Sequence, residues 1–239
     1  MPAPRPALPP LPVGFRYDRG FLTPAEEQDL LREIAELDLR PSQYHEYTAL
    51  RKTACFGLGL SFDGPLAEAR FAERRGVELK PRPPAPDFLQ QLAARVARHC
   101  GLKAGSFPHV LVTEYPPGAP IGWHRDAPPF AAIYGVSLAA DCNFRLRPYV
   151  SPLERGRAYV DEVEAAVLGG RPTSVGRSGQ ARSAAGTAQP ARGRKTEGSI
   201  ALTVEPRSLY VMAGPARSAW EHSITPVKQR RFSITLRTL

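Results

Sequence analysis

The sequence contains little cysteine and no long apolar run, and both absences limit what the protein can be. Its three cysteines, Cys55, Cys100 and Cys142, are widely spaced and form neither a CxxC pair nor a disulfide framework. The first twenty residues are rich in proline and lack the apolar core of a signal peptide. No segment has the length of a transmembrane helix. We therefore expect a cytoplasmic, soluble protein with no membrane partner.

Companion motifs of a protein kinase are also missing. The tripeptide His124-Arg125-Asp126 matches the start of a kinase catalytic loop, but that loop needs an asparagine five residues after the aspartate, where this chain has Ala131. Neither an Asp-Phe-Gly motif nor a glycine-rich phosphate loop is present. These absences exclude the kinase interpretation of the tripeptide.

The overall composition is that of a globular protein with an excess of positive charge. The 239 residues are 42% hydrophobic, which suffices for one substantial domain, or one domain with an extension. The formal net charge of +9 favours a polyanionic partner, nucleic acid before a membrane surface. An arginine-rich proteome explains the same charge equally well, so charge supports a nucleic-acid hypothesis without establishing it.

The N-terminal part of the chain predicts two helices. Residues 1–13 form a proline-rich lead that we expect to be disordered, and residues 14–105 form a helical N-terminal extension. A capping box at Thr23–Glu26 with helical spacing of apolar residues predicts a helix over Pro24–Leu37. A second helix is expected to begin near Asp87 and to end at Gly101.

The remainder, residues 106–239, predicts short strands separated by proline and glycine. Many short strands favour a sandwich or barrel, of which the jelly roll is one form. The predicted strands are Phe107–Tyr115, Ile133–Ala139, Ile200–Val204, Leu209–Met212 and Phe232–Leu236. Residues 155–198 interrupt this series; Tyr159–Leu168 is compatible with a short helix, but Gly169–Gly198 contains almost no large apolar residue, so we expect a disordered insertion.

Three residues have the composition of an iron site. His124 and Asp126 are two positions apart, so in an extended segment their side chains point to the same side. With His222 they make two histidines and one carboxylate, the ligand set of non-haem Fe(II) oxygenases, which leaves coordination positions open for O2.

The C-terminal segment predicts a strand with one polar face. Arg231, Ser233, Thr235 and Arg237 alternate with apolar residues and share that face. Arginine binds carboxylates through paired, charge-assisted hydrogen bonds. We expect Arg231 to bind the distal carboxylate of an acidic co-substrate and Arg237 to lie near the metal. Tyr115 is a candidate for a hydroxyl in the same pocket, or for a packed core residue.

Four segments, taken in order, resemble one known family. They are Leu111–Gly118, Gly122–Asp126, Glu221–Ile224 and Arg231–Arg237, and together they are similar to the AlkB family of Fe(II)/2-oxoglutarate-dependent dioxygenases. The resemblance runs from about Gly14 to the C-terminus, interrupted by the insertion. It implies a mainly β protein with flanking helices (α+β): a double-stranded β-helix, or jelly-roll, core with an N-terminal substrate-recognition extension.

The resemblance also implies roles for individual residues. The iron ligands would be His124, Asp126 and His222. The 2-oxoglutarate would be held by Tyr115 and Arg231, with Ser233 and Arg237 beside it. The implied co-substrates are 2-oxoglutarate and O2, and the implied reaction is oxidative demethylation of N-alkylated bases in DNA or RNA. Its products would be formaldehyde, succinate and CO2, and we expect a monomeric enzyme.

The residues that would recognise the substrate are less defined. A methylated base must leave the duplex to reach a metal, and Tyr44, His45, Tyr47 and Phe56 are candidates for stacking on it or for ordinary packing. Some repair enzymes of the family carry a second acidic residue where this chain has Pro128, so that position does not identify the base.

Other residues near the motifs are given structural roles. Trp123 alternates with His124 and is predicted to pack in the core, while His45, His99 and His109 lack a motif partner and are interpreted as structural or surface residues.

Two alternative functions remain: the same oxygenase chemistry on a protein or small molecule, and a non-catalytic nucleic-acid-binding module.

Overall fold

The computed structural model describes residues 7–44, 47–60, 79–150 and 198–239, without the side chains of residues 42–47 and 60. Within these ranges it contains three helices and twelve strands. The helices are α1 (Pro24–Ala35), α2 (Asp87–His99) and α3 (Gly214–Ser218). The strands are β1 (Phe15–Asp18), β2 (Arg40–Tyr44), β3 (Tyr47–Leu60), β4 (Leu79–Pro81), β5 (His109–Tyr115), β6 (Ile121–His124), β7 (Ala132–Leu138), β8 (Cys142–Pro148), β9 (Ile200–Val204), β10 (Ser208–Met212), β11 (Trp220–Ile224) and β12 (Arg231–Thr238).

The two predicted helices begin where the sequence predicts and end within two residues of the predicted positions. Thr23 caps α1 in a full capping box: its hydroxyl accepts a hydrogen bond from the Glu26 amide, and its own amide donates to the Glu26 carboxylate. The last helical residue is Ala35 rather than Leu37. Helix α2 ends at His99, and Gly101 follows with a φ of 70°, a conformation that favours glycine.

The strands form two antiparallel sheets. The major sheet has the order β1-β10-β7-β12-β5-β3-β2, with β4 paired to β3, and the minor sheet has the order β6-β11-β8-β9. Every strand pair in both sheets is antiparallel. This arrangement is the predicted jelly-roll core with flanking helices. Strands β1 to β4 of the N-terminal region extend the major sheet at its two ends.

Two apolar cores define three layers. One core lies between the sheets and includes Tyr210 of the major sheet with Phe144 and Leu146 of the minor sheet. The other lies between the outer face of the major sheet and the two long helices, with Ile34 of α1 and Leu89 of α2 fully buried. Alternate residues of each central strand therefore face opposite cores.

The structure shows where the stacking candidate Phe56 and the proline-rich lead lie relative to the two cores. Phe56 packs against the helix-side core, on the face of the sheet opposite the space between the sheets, so it has the packing role rather than the stacking role. Within the predicted disordered lead, Leu11 packs against the core between the sheets. The side chains of Tyr44 and Tyr47, all of His45 and residues 155–197 of the insertion lie outside the described residues.

No helix in the described ranges is both long and apolar enough to cross a membrane.

Candidate active site

Two neighbouring strands of the minor sheet bring the candidate metal ligands together. His222 of β11 is the direct register partner of His124 of β6, and the ring centroids are 4.2 Å apart. Asp126 follows β6 by two residues, and its Oδ2 lies 3.7 Å from Nε2 of His222. One donor atom from each of the three residues lies within 4.8 Å of the others. This spacing suits a single metal ion.

Hydrogen bonds and packing orient the three candidate ligands. Nδ1 of His124 lies 2.8 Å from the carbonyl oxygen of Gly122 and donates to it, which leaves Nε2 as the donor atom for a metal. The ring of His222 stacks on Phe144 with an interplanar angle of 9°. Asp126 accepts two hydrogen bonds on Oδ1 from Arg237, from Nε at 3.0 Å and from Nη2 at 2.6 Å.

The local environment keeps the three candidate ligands in the protonation states that metal binding requires. Burial lowers the pKa of His222 to about 3, helped by His124 and opposed by Asp126. Burial also lowers the pKa of His124. For Asp126 burial alone raises the pKa, but the charge of Arg237, followed by His222 and His124, outweighs burial and holds the pKa well below its usual range. Two neutral imidazoles and a carboxylate result, as a divalent metal requires.

Two hydrogen bonds from arginines to backbone carbonyl oxygens hold the loop that carries Asp126. Nη2 of Arg217, in α3, donates to the carbonyl oxygen of Ala127. In the opposite direction Nη1 of Arg125 donates to the carbonyl oxygen of Ser218 at 3.0 Å. The loop after β6 is therefore tied to the segment that leads into His222.

A buried arginine lies between the sheets without a full set of acceptors. Arg231 is 0% exposed, and its Nε donates to Oγ of Ser137 at 3.1 Å. Its two terminal nitrogens, Nη1 and Nη2, are buried and have no hydrogen-bond partner among the described residues. Leaving a buried charged donor unpaired costs several kcal/mol. The site therefore fits an anionic group that accepts from both nitrogens.

The polar face of β12 and its neighbouring strands surround Arg231 with hydroxyl groups. Ser233 lies between Thr113 of β5 and Ser137 of β7 in the register of the sheet. The ring of Tyr115 lies 5.1 Å from the guanidinium carbon of Arg231, so Tyr115 is both a buried core residue and a wall of the pocket. Hydroxyl groups and arginine thus form the floor between the sheets.

Comparison with known proteins identifies the family of the chain. The family model for the 2OG-Fe(II) oxygenase superfamily matches residues 14–237. The chain belongs to this superfamily. No curated protein matches the sequence of this oxygenase significantly.

Solved structures share the fold of this oxygenase. OsALKBH1 aligns with a TM-score of 0.59 at 13% identity, covering 98% of this chain and 100% of the other. An oxidoreductase of the 2OG-Fe(II) oxygenase family from Burkholderia pseudomallei aligns with a TM-score of 0.51 at 13% identity, covering 94% of this chain and 84% of the other. At these identities the likeness concerns the fold alone.

The residues of this oxygenase fit the cofactors of its superfamily. The superfamily uses Fe(II), 2-oxoglutarate and O2. The donor set of two histidines and one carboxylate suits Fe(II), and the two unpaired nitrogens of Arg231 suit a carboxylate. The residues that suit Fe(II) and those that suit 2-oxoglutarate are therefore both present between the sheets.

The prediction for Trp123 is wrong. Its ring is half-buried and lies under two guanidinium groups, those of Arg145 at 4.8 Å and Arg147 at 4.4 Å. Adjacent strand residues do face opposite ways, but the face occupied by His124 is the inner one. Trp123 therefore lies on the outer side of β6, an edge strand of the minor sheet.

Two residues of the site were not predicted to be part of it. His109 is buried, and its Nε2 accepts a hydrogen bond from Nη1 of Arg237, whereas the sequence indicated only a structural or surface histidine. Ser137 anchors Arg231; its only sequence signal is a hydroxyl in a strand that is otherwise apolar. His99, by contrast, is a surface residue paired with Asp18.

Proposed function

We propose that this oxygenase is of the AlkB type and removes alkyl groups oxidatively from the bases of DNA or RNA. The observation that carries the proposal is that the four AlkB-like sequence segments meet between the two sheets and bring the candidate metal ligands and the buried Arg231 there. Strands β5, β6, β11 and β12 contribute to these segments, and the loop after β6 supplies Asp126. The fold shared with OsALKBH1 and the net charge of +9 support the choice of a nucleic-acid substrate.

Each of the site residues has a distinct role in this proposal. His124, Asp126 and His222 would hold Fe(II), and Arg231 would bind the distal carboxylate of 2-oxoglutarate. Bound Fe(II), with 2-oxoglutarate and O2, supplies the oxidising chemistry that hydroxylates a C–H bond while succinate and CO2 form. Tyr115 and Ser233 would complete the wall of the co-substrate pocket.

The substrate must present its alkyl group to a deeply placed centre. Asp126 and His222 are each 10% exposed or less at the side chain, so a base stacked in a duplex cannot reach them. The alkylated base is therefore flipped out or bound single-stranded. Hydroxylation of its N-methyl carbon gives a hemiaminal, which releases formaldehyde and the unmodified base.

Comparing products from different substrates tests this proposal. Formaldehyde and succinate are measured with oligonucleotides that contain 1-methyladenine or 3-methylcytosine, and in parallel with N-methylated peptides. We expect stoichiometric formaldehyde from an oligonucleotide and none with the matched variant His124→Ala. Formaldehyde from peptides alone would reject the nucleic-acid substrate while keeping the oxygenase.

A second candidate function uses the same chemistry on a protein or small molecule, and the peptide arm of the experiment addresses it. A non-catalytic nucleic-acid-binding module is disfavoured, because all three metal-binding side chains converge and Arg231 retains two unpaired donors. Both features would lower the stability of the fold if the buried site bound neither a metal nor an acid.

A further inference from the structure

A buried hydrogen-bonded chain runs from β3 to the candidate metal ligand Asp126. The carbonyl oxygen of Leu58 lies at hydrogen-bond distance from Nδ1 of His109. Nε2 of the same imidazole meets Nη1 of Arg237. Nε and Nη2 of Arg237 then reach Oδ1 of Asp126. Each of the three guanidinium nitrogens of Arg237 thus contacts one of two acceptors, Asp126 or His109.

The chemistry of the partners fixes the protonation of His109. A carbonyl oxygen can only accept, so Nδ1 must carry the proton that goes to Leu58. A guanidinium can only donate, so Nε2 must be the unprotonated nitrogen that accepts from Arg237. The imidazole is therefore neutral and in the Nδ1–H tautomer. Consistently, burial, followed by the charge of Arg237, lowers the pKa of His109 to about 4.

The surroundings of His109 bring the chain into this geometry. Gly57 has a φ of 78°, and a Cβ added there would lie 2.2 Å from the carbonyl oxygen of Pro108. Glycine therefore allows β3 to approach the start of β5 closely enough for the Leu58 carbonyl to reach the ring. Phe130 packs on both partners, with its ring 4.8 Å from His109 and 5.3 Å from the guanidinium of Arg237.

We infer that His109 is a positioning residue for the metal centre, acting through Arg237 on Asp126. By accepting from Nη1, His109 holds the guanidinium in the orientation that places Nε and Nη2 on one carboxylate oxygen, Oδ1. The other oxygen, Oδ2, then remains directed towards His222, 3.7 Å away, where the metal is expected. The inference rests on the proposed role of Asp126 as a ligand.

A histidine that merely fills space in the core would have no such effect. The discriminating feature is the pair of hydrogen bonds, one donated and one accepted, which glutamine can also make and leucine cannot. Removing a partner of a metal ligand typically lowers metal affinity or activity about 10- to 100-fold. A purely structural substitution lowers stability and leaves the affinity of the folded fraction unchanged.

Metal titration of the whole protein provides the test. Co(II) binding is followed by its visible absorption in wild type, His109→Leu and His109→Gln, with His99→Leu as the matched control on an exposed histidine. We expect about tenfold weaker Co(II) binding in His109→Leu, recovery towards wild type in His109→Gln, and no change in His99→Leu. Equal Co(II) affinity in folded wild type and His109→Leu would overturn the inference, as would an equal loss in the leucine and glutamine variants.

A measurement on metal-free wild type keeps the test independent of whether the variants fold. Long-range ¹H–¹⁵N correlation spectra report the tautomer of each histidine. A neutral Nδ1–H tautomer of His109 at pH 7 is expected, and an Nε2–H tautomer or a charged ring would refute the chain of hydrogen bonds. Failure of wild type itself to bind Co(II) would contradict the proposed metal centre, which is a different result from equal binding by wild type and His109→Leu.

Discussion

His124 and His222 face each other across β6 and β11 as direct register partners, with their ring centroids 4.2 Å apart. The two residues are 98 positions apart in the chain, and the antiparallel pairing of two short strands brings them together. A metal held by both would therefore cross-link the edge strand of the minor sheet to its neighbour. The metal centre is thus expected to contribute to stability as well as to chemistry.

Removing one of these ligands should abolish metal binding without unfolding the protein. For His124→Ala we expect loss of Fe(II)-dependent 2-oxoglutarate turnover and at least a 100-fold weaker affinity for Co(II), because two donors remain of three. The melting temperature of the metal-free variant should stay close to that of metal-free wild type, measured by circular dichroism. Undiminished turnover would remove His124 from the ligand set, and His99→Ala is the control.

Replacing Arg231 should affect the co-substrate and not the metal. For Arg231→Met we expect the KM for 2-oxoglutarate to rise at least 30-fold, because the partner of its distal carboxylate is lost, while Co(II) affinity is retained. In wild type, saturating 2-oxoglutarate with Co(II) should raise the melting temperature. At a 2-oxoglutarate concentration of 100 times its Kd, binding stabilises the folded state by about 2.7 kcal/mol.

The same 2-oxoglutarate addition should leave the melting temperature of Arg231→Met unchanged. Without ligand, the variant should be no less stable than wild type, since it removes two unpaired buried donors. Marked destabilisation of the ligand-free variant would contradict the interpretation of Arg231 as an unsatisfied anion-binding residue. Differential scanning fluorimetry measures both quantities.

Glu27 of α1, on the helix side of the major sheet, should be important for stability. Its carboxylate accepts from the Ala139 amide at 2.9 Å and from Nη1 of Arg207 at 2.7 Å. Both partners have positive φ, 70° and 62°, a conformation that most side chains disfavour. For Glu27→Ala we expect a loss of about 2 kcal/mol in the free energy of unfolding, measured by urea titration. The exposed Glu33→Ala should change it by less than about 0.5 kcal/mol.

Gly135 should be intolerant of a side chain because Tyr210 occupies the space above it. A Cβ at this position would lie 2.1 Å from Cζ of Tyr210, its register partner on β10. We expect Gly135→Ala to destabilise the protein by about 1–3 kcal/mol. In a Tyr210→Val background the same substitution should cost measurably less, and strict additivity in this double-mutant cycle would contradict the steric explanation.

Acid should destabilise the metal-free protein partly through His109. After burial, Arg237 lowers the pKa of His109 further, whereas the hydrogen bond to the Leu58 carbonyl and the charge of Asp126 oppose this. With a pKa of about 4 when folded and 6.5 when unfolded, His109 binds a proton only in the unfolded state between these values. Its contribution to stability is therefore present above pH 6.5 and is lost as the pH falls towards 4, by up to about 1.4 kcal/mol per pH unit. Urea titrations of His109→Gln should show a shallower decrease of the free energy of unfolding over this pH range. An unchanged slope would mean that folding does not lower the pKa of His109.

Local sequence signals predicted much of the fold because they act over a few residues. The capping box at Thr23 and the glycine at Gly101 defined the limits of the two long helices to within two residues. Alternation along Arg231–Arg237 identified the two faces of β12 correctly. The sequence could not show that the polar face is buried between two sheets rather than wet, since this depends on the strands of the opposite sheet.

The prediction for Trp123 failed for a related reason. Period-two alternation shows that Trp123 and His124 face opposite sides, but it does not show which side is the core. The pairing of His124 with His222, whose ring stacks on Phe144 of the core between the sheets, decides that the inner side belongs to His124. His109 was overlooked because its partners, Leu58 and Arg237, are distant in sequence and meet it only through strand pairing.

By itself the sequence determined the candidate ligand types, the order of the motifs and the arginine-bearing strand, since each depends on residue identity and short spacing. The tertiary structure alone decided the convergence of His124, Asp126 and His222, and the placement of Arg237 on Asp126 with His109 behind it. It also left two nitrogens of Arg231 without partners in the part of the chain that the structure describes. The physical reason is that burial and long-range strand register, which set these contacts and the pKa values, depend on the whole chain and are not encoded in any local pattern.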